Sequence, residues 1–188
     1  MLLLALALLA LPSAKDIAAR YADAVVIVER ALPAGNLQQS QGFFLTSSGV
    51  LCTVLPGANV GDAVSIDDDD GDDDRGVVTA IDDDGLALVE VDVVADVAAL
   101  GVSGSGEPST WMVGLTRERG AVQGAVGGLT EKSGDRWRLL LPLARGAPVL
   151  DDKNLVVAVA VRGRGGGQTD ALPVARLKAL VARLPKKS

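Results

Sequence analysis

The chain has 188 residues, 48% of them hydrophobic but only 3% aromatic, a formal net charge of −6, and no histidine. That length holds one ordinary domain or two small barrels sharing a core, and the shortage of rings requires the core to be built from Val, Leu, Ile and Ala. The missing histidine excludes any reaction that needs an imidazole base, and the charge offers no basic footprint for a nucleic acid.

Residues 1–14, MLLLALALLALPSA, are apolar and end in small residues. They are too short for a spanning helix, which needs about 20 apolar residues, and read as a signal peptide cleaved after Ala14. The protein is therefore expected to be exported, periplasmic or secreted, touching a membrane only if this segment stays uncleaved. Ser13-Ala14-Lys15-Asp16 carries a helix-start signal for a short helix over about residues 16–22. Residues 24–29 form a β-branched strand, and the polar residues 31–41, with Pro33, Gly35 and Asn36, read as a loop. Residues 42–46, a turn at 47–49 and residues 50–54 form a strand–turn–strand unit. Cys52, the only cysteine, lies in that second strand and reads as a small buried hydrophobe.

Residues 63–66 and 76–81 are strands flanking a first run of aspartates, and residues 86–91 form another after a second run. Residues 67–70, 72–74 and 82–84 supply ten of the 24 acidic residues, without which the net charge would be +4. The acidity is thus local. Asp67, Asp68, Asp69, Asp70, Asp72, Asp73 and Asp74 form a dense carboxylate cluster, and Ca²⁺ is the hard, oxygen-seeking cation that would suit it. EF-hand spacing fails, because with Gly71 at the glycine position Ile66 occupies the first ligand slot. The run reads first as a solvated face, and no other cofactor is expected.

Residues 92–108 suit a connection, and residues 111–115 and 121–126 open the second half. Residues 137–141 lead into a stretch, 139–161, that joins an apolar strand, a tight loop bearing Gly146 and Pro148, a turn at 151–154 and a second apolar strand. Residues 162–167 lack the ending of a phosphate-binding loop and read as a flexible connection. Leu177, Leu180, Val181 and Leu184 lie at helical spacing in a terminal helix over residues 173–184.

Several of these segments, taken in order, resemble the trypsin-like serine proteases, and within them the HtrA-type branch. They are the Gly42-Phe43 strand with its Ser48-Gly49 turn, Leu86-Ala87-Leu88, Gly124-Ala125-Val126, Leu143-Ala144-Arg145-Gly146-Ala147-Pro148 and Ala171-Leu172-Pro173. The resemblance spans about residues 21–184. It implies an all-β fold of two packed antiparallel β-barrels with a short N-terminal and a longer C-terminal helix. The first barrel would cover about residues 21–95, the connection 96–109 and the second barrel 110–170, with no chain left for a PDZ domain.

By the same resemblance, Pro56 stands where the family has its catalytic histidine, Gly85 where it has its aspartate, and Arg145 where it has its serine. Asp84, one residue away, offers an acid if the match slips by one position. The implied function is a catalytically inactive homologue that binds an unidentified protein or peptide. The alternatives are a serine-type endopeptidase or other hydrolase with unrecognised catalytic residues, and an acidic calcium-binding surface module.

Overall fold

Valine and isoleucine are stiff at χ1 and fit the pleated surface of a strand, and they favour sheet along much of this chain. A computed structural model describes residues 13–67, 74–92 and 97–184. Its first sheet comprises β1 (Val25–Ala31), β2 (Leu37–Phe44), β3 (Val50–Val54), β4 (Ala63–Asp67), β5 (Asp74–Ile81) and β6 (Leu86–Val91). All neighbours are antiparallel, and the sheet closes into a barrel in the order β1-β2-β3-β6-β5-β4. Val26, Val28, Leu51, Ile66, Val78 and Val89 fill its interior.

The second sheet comprises β7 (Met112–Glu118), β8 (Ala121–Gly127), β9 (Leu129–Ser133), β10 (Arg136–Leu139), β11 (Pro148–Leu150), β12 (Val156–Arg164) and β13 (Gln168–Pro173). Its order is β8-β7-β11-β12-β13-β10-β9. The expected all-β architecture holds, with one refinement: this ladder curls without closing. Its edge strands β8 and β9 are consecutive in the chain, and only Gly128 separates them. Gly127 lies against the Leu140 carbonyl, where a side chain would not fit. The strand that would complete the barrel is therefore broken, its first half pairing with β7 and its second with β10.

Helix α1 (Ala14–Arg20) begins two residues before the expected start. Ser13 caps it, with Asp16 N donating to Ser13 Oγ at 3.2 Å and the Ser13 hydroxyl donating to Asp16 at 2.7 Å. Ile17 and Ala18 are buried, and the helix packs on β8. Helix α2 (Val174–Val181) leaves β13 through Pro173 and buries Leu177 and Leu180. Val181, placed on the apolar stripe by spacing, is the last residue of the helix and 41% exposed. Ile17, Phe43, Leu88, Leu115, Val159 and Leu177 belong to one central core, which both sheets and both helices share. The connection follows this seam: Leu100 N donates to Phe44 O at 2.8 Å and Ser103 N to Val156 O at 2.9 Å.

β11 and β13 are strands that the sequence does not signal, and three further, polar segments also differ from the expectation. Residues 37–41 are the first half of β2 rather than loop, because Leu37 to Phe43 pair in register with Val25 to Ala31. β9 reads as no strand in the sequence. Residues 162–164 extend β12 instead of forming a flexible connection. Here the outer face carries a cross-strand row of alternating charge: Glu131, Arg138, Asp170 and Arg162 stand opposite one another on β9, β10, β13 and β12. Arg164 Nε donates to Asp170 at 2.6 Å, while Arg162 and Arg138 approach it at 3.6 and 3.7 Å. Burial works to raise the pKa of Asp170, but the hydrogen bond from Arg164 and the charges of Arg164, Arg138 and Arg162 prevail and lower it.

Candidate functional site

At the end of β3 the chain passes through Leu55 to Pro56, and Leu55 N donates to Gly85 O at 2.7 Å. Gly85 closes the β5–β6 turn. There Asp82 Oδ1 accepts the N–H groups of Asp84 (2.9 Å) and Leu86 (3.0 Å), and Gly85 N donates to Asp82 O at 3.0 Å. The backbone of Gly85 is left-handed, with φ +81°, and a Cβ there would lie 2.9 Å from both Cα and N of Pro56. Pro56 and Gly85 are therefore in direct contact, with no room between them for a side chain.

The loop after Pro56 is fastened by Arg30, a buried residue of β1. Its guanidinium donates to Gly57 O (3.0 Å), Pro56 O (3.3 Å) and Asp62 Oδ2 (2.8 Å). Gln38 Nε2 adds a second donor to Pro56 O at 3.1 Å. The Asn59 N–H first, and then Arg30, hold the Asp62 carboxyl below its ordinary pKa.

Asp84, the neighbouring acid, does not serve the Pro56 position. It pairs with Arg136, and with Arg176 of α2 at 3.1 Å. Arg176 also reaches Asp82 at 2.8 Å and pairs with Asp135. Burial disfavours the Arg176 charge, but the hydrogen bond to Asp82 and the charges of Asp82, Asp84 and Asp135 outweigh this and raise its pKa. These carboxylates join the first barrel to the second sheet and to α2.

Arg145 lies in the connection from β10 to β11. Leu143 N donates to Thr169 Oγ1 (3.1 Å), which donates on to Leu141 O (2.5 Å). Gly146 N donates to Ala160 O at 2.8 Å, and Arg145 O accepts from Gln41 N (2.7 Å) and Ser40 Oγ (3.2 Å). The loop backbone is thus held against β2. Gln38, which binds Pro56, and Ser40 and Gln41, which bind Arg145, are close neighbours on that strand. Pro56 and Arg145 thus both meet one stretch of β2, and Gly85 joins them through its contact with Pro56.

The sequence offered no sign of Gln41, which holds this stretch to β7. It is buried; its Nε2 donates to Arg117 O at 2.8 Å and its Oε1 accepts Arg117 N at 3.2 Å. Thr53 Oγ1 donates to Gln41 O at 2.6 Å. Arg117, equally buried, donates to the carbonyls of Val25 (2.6 Å) and Ala22 (2.7 Å). A buried amide in a segment read as loop becomes visible only once β2 is paired.

Beside the clasp runs a cleft of about 300 Å³, lined by β1, β2, β7 and the Arg145 loop: Ile27, Gln39, Ser40, Gln41, Thr116, Arg117, Glu118, Ala144 and Arg145. Its chemistry is two hydroxyls, amides, one acid and two guanidinium groups. None of these lining residues is a histidine or lysine. Cys52 is no candidate nucleophile, since it is fully buried and burial, with the Asp82 charge, pushes its thiol pKa up.

The other sequence candidate is met only at its two ends. Asp67 closes β4 and Asp74 opens β5, where it pairs with Ile66. Asp68, Asp69, Asp70, Asp72 and Asp73 lie outside the described residues. Among the described residues, no three acidic or cysteine side chains group together as metal ligands would.

No family model matches the sequence, and no curated protein does. The three-dimensional structure is similar to a solved serine protease of human pathogenic astrovirus, with a TM-score of 0.64 over 81% of this chain and 90% of that one. The chain has the trypsin-like serine protease fold. At 18% identity the likeness concerns the fold, and the trypsin-like barrel pair is what brings Pro56, Gly85 and the Arg145 loop to one seam.

Proposed function

We propose that this chain is an exported, catalytically inactive relative of the trypsin-like serine proteases, of HtrA-type descent, and that it binds a peptide or protein through the cleft between its sheets. Trypsin-like hydrolysis requires a base to take the serine proton, an acid to orient that base, and a serine to attack. The chain has no histidine, and the loop that would carry the serine carries Arg145, whose guanidinium stays protonated and cannot act as a nucleophile. The observation that supports this reading best is the Gly85–Pro56 contact. A side chain at position 85 would have to displace the Pro56 backbone, 2.9 Å from where its Cβ would lie, which supports reading the positions matched to the acid and base as closed on each other. The cleft remains open and polar, and a cleft without catalytic groups is suited to binding.

Incubation of the purified protein with casein and with a fluorophosphonate probe tests this. The expected result is neither cleavage nor labelling. Probe-sensitive cleavage, with the label on Ser40 or another hydroxyl of the cleft, would establish the hydrolase reading instead.

A further inference from the structure

Six of the described arginines are not solvent-exposed, and five of them have guanidinium partners. Arg30 pairs with Asp62, Arg136 with Asp84, Arg138 with Glu131, and Arg176 with Asp82, while Arg117 binds carbonyl oxygens. Arg145 is the exception among the described residues. Its only hydrogen bonds run through its backbone carbonyl; its Nε is buried with no hydrogen-bond partner, as are those of Arg30 and Arg138, but unlike theirs the rest of its guanidinium has no partner either. A half-buried cation left unsatisfied is costly, and hydrogen bonds to a charged group recover about 1.5–3 kcal/mol each. The guanidinium is planar, and its fork matches a carboxylate with two parallel bonds.

We infer that Arg145 is the anchor for a carboxylate, and that the cleft takes an acidic peptide, presenting either an Asp or Glu side chain or a free C-terminus. The inference rests on the reading of the cleft as a binding site. Its backbone mount is preorganised, because Gln41 N, Ser40 Oγ and the Gly146–Ala160 hydrogen bond fix the loop before any ligand arrives. Ligand-side ordering costs therefore dominate, which favours affinity. The cleft holds about 300 Å³, enough for one side chain or terminal residue. Arg117 contributes positive charge from beneath but is already engaged by the Val25 and Ala22 carbonyls. Glu118, exposed at the rim, repels a second negative group, so the preference is for a single carboxylate over a polyanion.

The test is an NMR titration of the Arg145 Nε–Hε signal and of the Gln41 and Thr116 amides. The probes are N-acetyl-alanine (a C-terminal carboxylate), N-acetyl-aspartic acid amide (a side-chain carboxylate) and N-acetyl-alanine amide as the neutral control. Saturable shifts are expected with one or both acids and not with the amide; the acid that binds more tightly identifies which carboxylate is recognised. Arg145→Gln should weaken binding at least tenfold, and Arg145→Lys should fall between, keeping charge and losing the fork. Equal shifts with the neutral control, or none with either acid, would overturn the assignment. This readout is separate from the casein assay: an inactive protein that ignores both acids defeats the carboxylate anchor alone, whereas an active one defeats the binding-site reading.

Discussion

Replacing Gly85 by alanine probes the seam where it is tightest. Two costs add. An L-residue held at φ +81° loses about 1–2 kcal/mol through its own backbone. The new methyl must also displace the Pro56 backbone, and overpacking of this kind costs about 1–3 kcal/mol. The expected loss is therefore about 2–5 kcal/mol. Gly35→Ala is the matched control, since Gly35 has φ +77° and nothing within 4 Å of the position its Cβ would take. It carries the backbone cost alone. Urea unfolding at unchanged m reports both differences directly. Gly85→Asp, which nominally restores the acid, should be at least as damaging as Gly85→Ala and confer no proteolysis. If Gly85→Ala costs no more than Gly35→Ala, the Pro56 contact has been misjudged, and a side chain at position 85 would be admissible after all.

Three further perturbations address the supports of the site. Gln41→Met removes both hydrogen bonds to the Arg117 backbone and leaves a buried N–H and C=O unpaired, for an expected loss of about 2–4 kcal/mol in urea unfolding; a change below experimental error would mean that the clasp is not holding β2 to β7. Asp170 has a folded pKa below its ordinary value of 3.8, so its contribution is complete above that value and disappears as pH falls through the lower, folded one. Asp170→Asn should remove that part of the acid dependence and cost roughly 1–3 kcal/mol near neutrality; parallel stability–pH curves for variant and wild type between about pH 2 and 5 would refute this. Ser13→Ala should cost about 1 kcal/mol through loss of the α1 cap, seen as faster amide exchange in α1, but only in protein that retains Ser13. Mass spectrometry of exported material, expected to begin at Lys15, decides which form to compare.

The strands legible in the sequence were those rich in β-branched and other apolar residues. β3 and β6 have the bounds the pattern predicts, because Val50–Val54 and Leu86–Val91 are buried for most of their length. β9, the first half of β2 and the far end of β12 were illegible for the opposite reason. Their polar residues are held by cross-strand partners on neighbouring hairpin strands, which an apolar pattern does not register. The site follows the same division. The resemblance pointed to Pro56, Gly85 and Arg145 as candidates, but not to the pairing of Asp84, whose Arg136 partner is 52 residues away. Nor could it reveal Gln41, whose Arg117 partner is 76 residues away. Pairings of that span belong to tertiary structure.

The seam between the two sheets is fastened by unlike chemistries. At the cleft it is a neutral amide on backbone groups; at α2 it is Arg176 among Asp82, Asp84 and Asp135. Dissolved ions screen partly exposed charges and leave a buried neutral hydrogen bond nearly untouched. Raising the ionic strength is therefore expected to weaken chiefly the pair of Arg176 with the exposed Asp135, while the Gln41 side keeps its hydrogen bonds.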